Sequence, residues 1–99
     1  MEIEMDEFKK LEMKVGLVKS CEKIPQSRKL YKLIVDCGEK KPRQILTGMA
    51  SYYSPEELEN QKLVILTNLK PRKIMGFESN GMLLAADVNN EPFLLKVDQ

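Results

Sequence analysis

The chain has 99 residues, of which 42% are apolar and 31% charged, and its formal net charge is +1. This length predicts one domain over residues 1–99, and the apolar share is too large for a disordered chain. No apolar run approaches the roughly 20 residues that a membrane helix needs. The acidic start, Met1–Glu7, lacks the basic residues and apolar run of a secretion signal, so we expect a cytoplasmic protein outside any membrane.

The first half of the chain is predicted to form one short helix followed by short strands. Phe8 and Leu11 share a helical face at i, i+3 spacing, and Met13, Val15 and Leu17 alternate with other residues as in a strand. The predicted elements are a helix at 6–11 and strands at 13–17 (continuing toward 24), 30–37 and 43–49.

The second half begins with a strong helix start. Ser54 can cap the helix, Pro55 suits its first position, and Glu57 completes a capping box. The elements predicted from there are a helix at 54–60, a strand at 62–67, a basic turn at 68–73, a strand at 81–86, a turn at 89–90 and a strand at 93–97. Five or six short strands, with a helix between the third and fourth, predict an all-β OB-fold, a five-stranded Greek-key barrel.

Several kinds of chemistry are excluded by the residues that the sequence lacks. There is no histidine, so a histidine-based triad or general base is ruled out. No Cys-x-x-Cys, Walker A or G-x-G-x-x-G motif occurs. We therefore expect no enzymatic activity, no metal and no cofactor. Cys21 and Cys37 lie in apolar strand segments, where buried free thiols are expected more than a disulfide or redox pair.

Basic residues are concentrated in two places. Residues 23–43 hold seven basic and two acidic side chains, a local charge of +5, and Lys70, Arg72 and Lys73 form a second cluster on a loop. Loops are exposed, so these cations can reach phosphates. An ordinary solvated barrel surface would explain the same charges.

The segment 68–86, NLKPRKIMGFESNGMLLAA, combines this basic turn with a second turn that enters a strand. Ser79 offers a hydroxyl and Asn80 an amide. Met82 offers a flexible apolar surface for a base or sugar, although a core position would also suit it. We predict that the basic turn supplies affinity and that the turn from Ser79 to Met82 supplies fit.

This segment resembles the signature of the tRNA-binding domain family, which includes stand-alone tRNA-binding proteins and the C-terminal domain of many methionyl-tRNA synthetases. Three further pieces are similar in order: FKKLEMKVGLV, PQSRKLYKLIVDCGE and RQILTGMASYYSPEEL. The resemblance spans roughly residues 8–86. It implies an OB-fold, no catalysis, and recognition of the outer corner of the L-shaped tRNA.

The resemblance also implies which residues bind tRNA. They are Lys29, Arg43, Asn68, Lys70, Arg72, Lys73, Ser79 and Met82. Arg43 has an alternative role in a surface pair with Glu39. Tyr52 and Tyr53 are expected to pack more than to stack on bases.

Partners are implied in the same way. The stand-alone members form homodimers and run a little longer, so we expect a dimer with a reduced interface. It would bury exposed apolar residues at the two ends of the chain, namely Ile3, Met5, Phe8, Phe93 and Leu95. A methionyl-tRNA synthetase assisted in trans is a further implied partner. The alternatives are a secretion-related chaperone for unfolded polypeptides and a general single-strand binder, which usually has more aromatics than three Phe and three Tyr.

Overall fold

A computed structural model describes residues 1–98 of the chain. It contains two four-residue helices, α1 Met5–Phe8 and α2 Pro55–Leu58. The strands are β1 Met13–Lys23, β2 Tyr31–Asp36, β3 Arg43–Thr47, β4 Lys62–Leu66, β5 Arg72–Ile74, β6 Phe77–Ser79, β7 Met82–Leu83, β8 Ala85–Val88 and β9 Glu91–Leu94. The all-β prediction is confirmed, as are the N-terminal helix and the helix between the third and fourth strands.

The main sheet has five antiparallel strands in the order β3-β2-β1-β4-β7. The long strand β1 pairs with β4 through its first half and with β2 through its second half, and its register shifts between Val18 and Ser20. This shift lets one strand turn from one partner to the other, as a β-bulge does. The sheet curls as a result, and its two edge strands, β3 and β7, approach each other.

Hydrogen bonds join β3 to the segment that enters β7 and nearly close the barrel. The Leu46 N–H donates to the Ser79 hydroxyl at 3.0 Å, and the Asn80 N–H donates to the Gln44 carbonyl at 2.8 Å. The five-stranded, nearly closed barrel confirms the predicted OB-type fold.

The core fills the inside of this barrel with side chains from β1–β4, α2, β7 and β9. Its buried members are Val18, Cys21, Tyr31, Leu33, Val35, Cys37, Ile45, Leu58, Leu63, Ile65, Leu83 and Leu94. Both cysteines are free thiols, as expected. Burial raises the pKa of the Cys21 thiol to about 11, so it stays protonated.

One position of β1 has no room for a side chain. A Cβ atom at Gly16 would lie 2.5 Å from Val35 Cγ1 and 2.6 Å from Ile65 Cγ1. Gly16 therefore lets β1 pass close over two buried branched residues. The buried positions of β1 are Gly16, Val18 and Cys21, whereas Met13 and Val15 point outward and are half exposed.

Several predicted boundaries need correction. The basic turn at 68–73 ends in a strand, because β5 pairs with β6. The strand predicted at 81–86 divides at Leu84 into β7 and β8, and the last strand lies at 91–94 rather than 93–97. The first helix is shorter than predicted, and β3 ends at Thr47. In the part of the chain that the structure describes, no helix is long and apolar enough to cross a membrane.

Candidate nucleic-acid interface

A basic β-hairpin, formed by β5 and β6, lies on the outside of the barrel. Lys73 lies opposite Glu78, and Ile74 lies opposite Phe77. The tip residues Met75 and Gly76 have φ angles of 51° and 85°. Two left-handed residues make the tight turn whose twist matches that of a hairpin, a turn for which Asn-Gly is the usual sequence. The hairpin is therefore sharply bent at an exposed methionine.

The three cations predicted to bind tRNA lie together on this hairpin and the turn before it. Lys70, Arg72 and Lys73 are all exposed. Within residues 1–98, none of the three has an acidic partner within ion-pair distance. Unpaired cations keep their full charge available for a ligand such as phosphate.

The hairpin is held against the outer face of β2 and β3. The Gln44 side-chain amide donates to the Glu78 carbonyl at 2.9 Å, and the Lys32 ammonium lies 5.4 Å from the centre of the Phe77 ring. Lys32, whose ammonium also lies 3.8 Å from a carboxylate oxygen of Glu22, thus adds a fourth cation beside the hairpin. The sequence analysis did not predict it as a site residue. The signal was available, since Tyr31 and Leu33 face inward and Lys32 between them must face outward.

Arg43 has a structural position at the start of β3. Its guanidinium donates to both carboxylate oxygens of Glu39, at 2.7 and 2.9 Å. It also donates to the carbonyls of Thr67 and Asn80, both at 3.0 Å. Hydrogen bonding from Arg43 lowers the pKa of Glu39 to about 2. Arg43 therefore ties β3 to both ends of the loop that carries the hairpin, and its tRNA contact stays a prediction.

Asn68 has a similar structural position before the basic turn. Its side-chain oxygen accepts a hydrogen bond from the Glu12 N–H at 2.9 Å, and its side-chain nitrogen donates to the Lys10 carbonyl at 2.6 Å. Both ends of the amide are thus committed to the segment that leads into β1. Asn68 therefore fixes the position of the basic turn, and its contact with tRNA stays a prediction.

Ser79 and Met82 differ in burial. Ser79 is buried, and its hydroxyl accepts from Leu46 and donates to the Gly81 carbonyl at 3.3 Å. Met82 is 42% exposed, so it is not a core residue. It pairs with Leu66, which also pairs with Met13, so Met82 on β7 and Met13 on β1 lie on the same outer face of the sheet, on either side of β4. Of these two residues, only Met82 presents its side chain to a partner.

Lys29 lies in the loop between β1 and β2 and is exposed. Its carbonyl accepts a hydrogen bond from the Ala50 N–H at 3.1 Å, so this loop is tied to the one after β3. Of the cations described, Lys70, Arg72 and Lys73 lie on the hairpin and the turn before it, and Lys32 lies against Phe77 of the same hairpin. Lys29 lies just before the start of β2, and Met82 lies on β7.

The described residues contain no group of three or more side chains that could hold a metal ion. Every buried side-chain nitrogen or oxygen within residues 1–98 has a hydrogen-bond partner. What the arrangement offers is a rigid, positively charged surface with apolar side chains beside it, which suits binding of a polyanion.

Comparison with known proteins agrees with this surface. Residues 13–99 match the family model described as "Putative tRNA binding domain". The methionine–tRNA ligase of Methanocella arvoryzae is 52% identical over 92 residues, which are 93% of this chain and 14% of the ligase. The chain thus spans a small part of the ligase that it matches, and the matched family describes a binding domain rather than a catalytic one.

Two solved structures share the fold. A methionyl-tRNA synthetase-related protein from Pyrococcus horikoshii superposes with a TM-score of 0.91 at 48% identity, covering 100% of this chain and 92% of that one. The CsaA chaperone protein from Picrophilus torridus superposes with a TM-score of 0.88 at 26% identity, covering 99% of this chain and 92% of that one. With a family match over most of its length and a near-complete relative of this similarity, the chain belongs to the tRNA-binding domain family.

Proposed function

We propose that the protein recognises the shape of folded tRNA at its outer corner, in the cytoplasm, without catalysing a reaction. The observation that carries this proposal is the group of unpaired cations on a hairpin whose position is fixed by Arg43, Asn68 and Gln44. A rigid array of charges can match the phosphate spacing of a folded RNA, whereas a flexible one would bind any polyanion.

The test is a competition between folded tRNA and an unstructured RNA of equal length, at about 0.15 M salt, where exposed charges are partly screened. We expect folded tRNA to win clearly, because only it presents its phosphates in a fixed arrangement. Equal competition would replace shape recognition with general single-strand binding. If neither RNA binds, the likeness to the CsaA chaperone protein becomes the better guide, and unfolded polypeptides are the ligands to examine.

The proposal extends to a synthetase partner. Regions similar to this chain occur within methionine–tRNA ligases, and this supports a role in delivering tRNA to a methionyl-tRNA synthetase in trans. In an aminoacylation assay with a synthetase that lacks such a domain, adding the protein should lower the KM for tRNA without changing kcat. An unchanged KM at saturating protein would contradict this part of the proposal.

A homodimer is the third part of the proposal. Exposed apolar side chains at both chain ends support it, together with Met13 and Val15 on the outer face of β1. The predicted terminal members are Ile3, Met5, Phe8, Phe93 and Leu95, which are 42–63% exposed. Such an outward apolar face is typical of a surface that a second subunit covers.

Changing Val15 to glutamate should convert the dimer to a monomer in sedimentation velocity, because it would place a charge in the apolar interface. Met75→Glu is the matched control, since both side chains are 50% exposed and Met75 lies on the hairpin. A Val15 variant that sediments like the unchanged protein would place the interface elsewhere.

A further inference from the structure

We propose that a cleft at the end of the barrel near the start of β2 binds one unpaired nucleotide of the RNA, with the base on Tyr52 and the phosphate between Lys23 and Arg28. The cleft lies between the loop at 24–30 and the loop at 48–54. This inference rests on the proposed tRNA binding and adds to it a second contact, of different chemistry from the hairpin.

The cleft consists of two adjoining depressions of about 360 and 370 Å³, which share Lys23, Tyr31 and Ala50 as lining residues. Each volume falls in the range of about 300–1,000 Å³ that is typical of small-ligand sites. A single nucleotide is therefore of the right size class for this space.

Backbone hydrogen bonds hold both walls of the cleft. The Ala50 N–H donates to the Lys29 carbonyl at 3.1 Å, and the N–H groups of Tyr52 and Tyr53 both donate to the Met49 carbonyl at 3.0 Å. The Tyr31 hydroxyl donates to the Tyr53 carbonyl at 2.7 Å. The site is thus formed before any ligand arrives, so little ordering of the chain opposes binding.

The three tyrosines of the cleft differ in what remains available. Tyr31 is buried in the core, and the Tyr53 hydroxyl accepts a hydrogen bond from the Leu94 N–H at 3.1 Å. Tyr52 is 48% exposed, and no residue within 1–98 engages its hydroxyl. An exposed aromatic ring is a surface on which any base can stack. The packing role expected for the two tyrosines therefore describes Tyr53 and not Tyr52.

The charge of the cleft favours a phosphate. Lys23 and Arg28 line it and are exposed, and among the described residues neither has an ion-pair partner. Two acids also lie near the cleft, since burial and then the charges of nearby groups, Glu56 and Glu57 among them, raise the pKa of Tyr31. Glu57 is turned back to accept a hydrogen bond from the Ser54 N–H at 2.8 Å. Two free cations beside a free aromatic ring match a phosphate joined to a base.

Strand β2 connects the cleft with the surroundings of the basic hairpin. Tyr31 lines the cleft, and the next residue, Lys32, lies against Phe77 of the hairpin. The Tyr31 and Lys32 side chains point to opposite faces of β2, so an RNA that contacts both regions would pass around the start of this strand.

The test uses the full chain and two probes, a folded tRNA and each of the four nucleoside monophosphates. We expect Tyr52→Ala to weaken tRNA binding by roughly 5- to 150-fold, the scale of one lost base stack. The slope of log affinity against log salt should stay unchanged, because no phosphate contact is lost. Tyr52→Phe, which keeps the ring, should bind as the unchanged protein does. Nucleoside monophosphates should shift backbone amide NMR signals of residues 50–53.

The outcomes separate the two proposals. If the unchanged protein does not bind tRNA, both fail. If it binds tRNA but Tyr52→Ala binds equally well, or if the nucleotides shift only hairpin signals, the cleft proposal is wrong and the tRNA proposal stands. A Tyr52→Phe variant as weak as Tyr52→Ala would also overturn stacking, since the ring would then not be the group that matters.

Discussion

Replacing Lys70, Arg72 and Lys73 together with alanine is expected to weaken tRNA binding on the order of a hundredfold at about 0.15 M salt. Each cation that neutralises a phosphate releases a condensed counterion, which contributes up to about 0.9 to the log–log salt slope. Three lost contacts should therefore lower the slope by up to about 2.7. Titrations of tRNA at several salt concentrations measure both quantities. The three side chains are exposed and unpaired, so the barrel should keep its stability.

A matched control separates the position of these charges from their sum. Lys9, Lys10 and Lys96 are also exposed, and replacing all three with alanine changes the net charge by the same amount. We expect this control to lose far less affinity, because its cations lie outside the hairpin. Equal losses in the two variants would mean that overall charge, and not the hairpin, attracts the RNA.

Gly16→Ala is expected to destabilise the fold by about 1–3 kcal/mol, the usual range for an overpacked core. The added Cβ would lie 2.5 and 2.6 Å from side-chain carbons of Val35 and Ile65, both fully buried. For a domain of this size, each kcal/mol lowers Tm by about 4–8 °C. Thermal unfolding followed by circular dichroism measures the change.

The chain provides both a control and a rescue for this variant. Gly48→Ala should leave Tm nearly unchanged, since a Cβ at Gly48 meets nothing within 4 Å. The double variant Gly16→Ala/Val35→Ala should be more stable than the sum of its single effects, because the second change removes one of the two carbons that the new Cβ meets. If Gly16→Ala and Gly48→Ala unfold at the same temperature, the close approach of β1 to these side chains is not real.

The sequence predicted the fold well where the signals were local. The capping box at Ser54 and Glu57 forms as expected, and the turn at Asn89 and Asn90 takes the left-handed conformation that asparagine tolerates. The β5–β6 hairpin was missed because its strands have three residues each, too few for an alternating pattern, and its tip lacks the usual Asn-Gly.

The site was harder to predict because it depends on contacts between distant residues. The carbonyls that accept from Arg43 lie 24 and 37 residues away in sequence, so no local pattern reveals that its guanidinium is occupied. The Ser79 hydroxyl reaches the backbone of β3 for the same reason. The alternation of apolar residues in β1 also does not show which face of the strand is buried. The inward position is occupied by Gly16, which has no apolar side chain to mark it. The cations of the hairpin were predictable because exposure on a loop requires no partner.

The Asn68 amide has a mechanical consequence. It joins the last residues before β1 directly to the first residues of the basic turn, by two hydrogen bonds that bypass the barrel. Residues 10–12 are therefore held at a fixed place beside the basic turn. A ligand bound on the hairpin would lie in a defined orientation relative to this segment, even if the rest of the barrel surface changed.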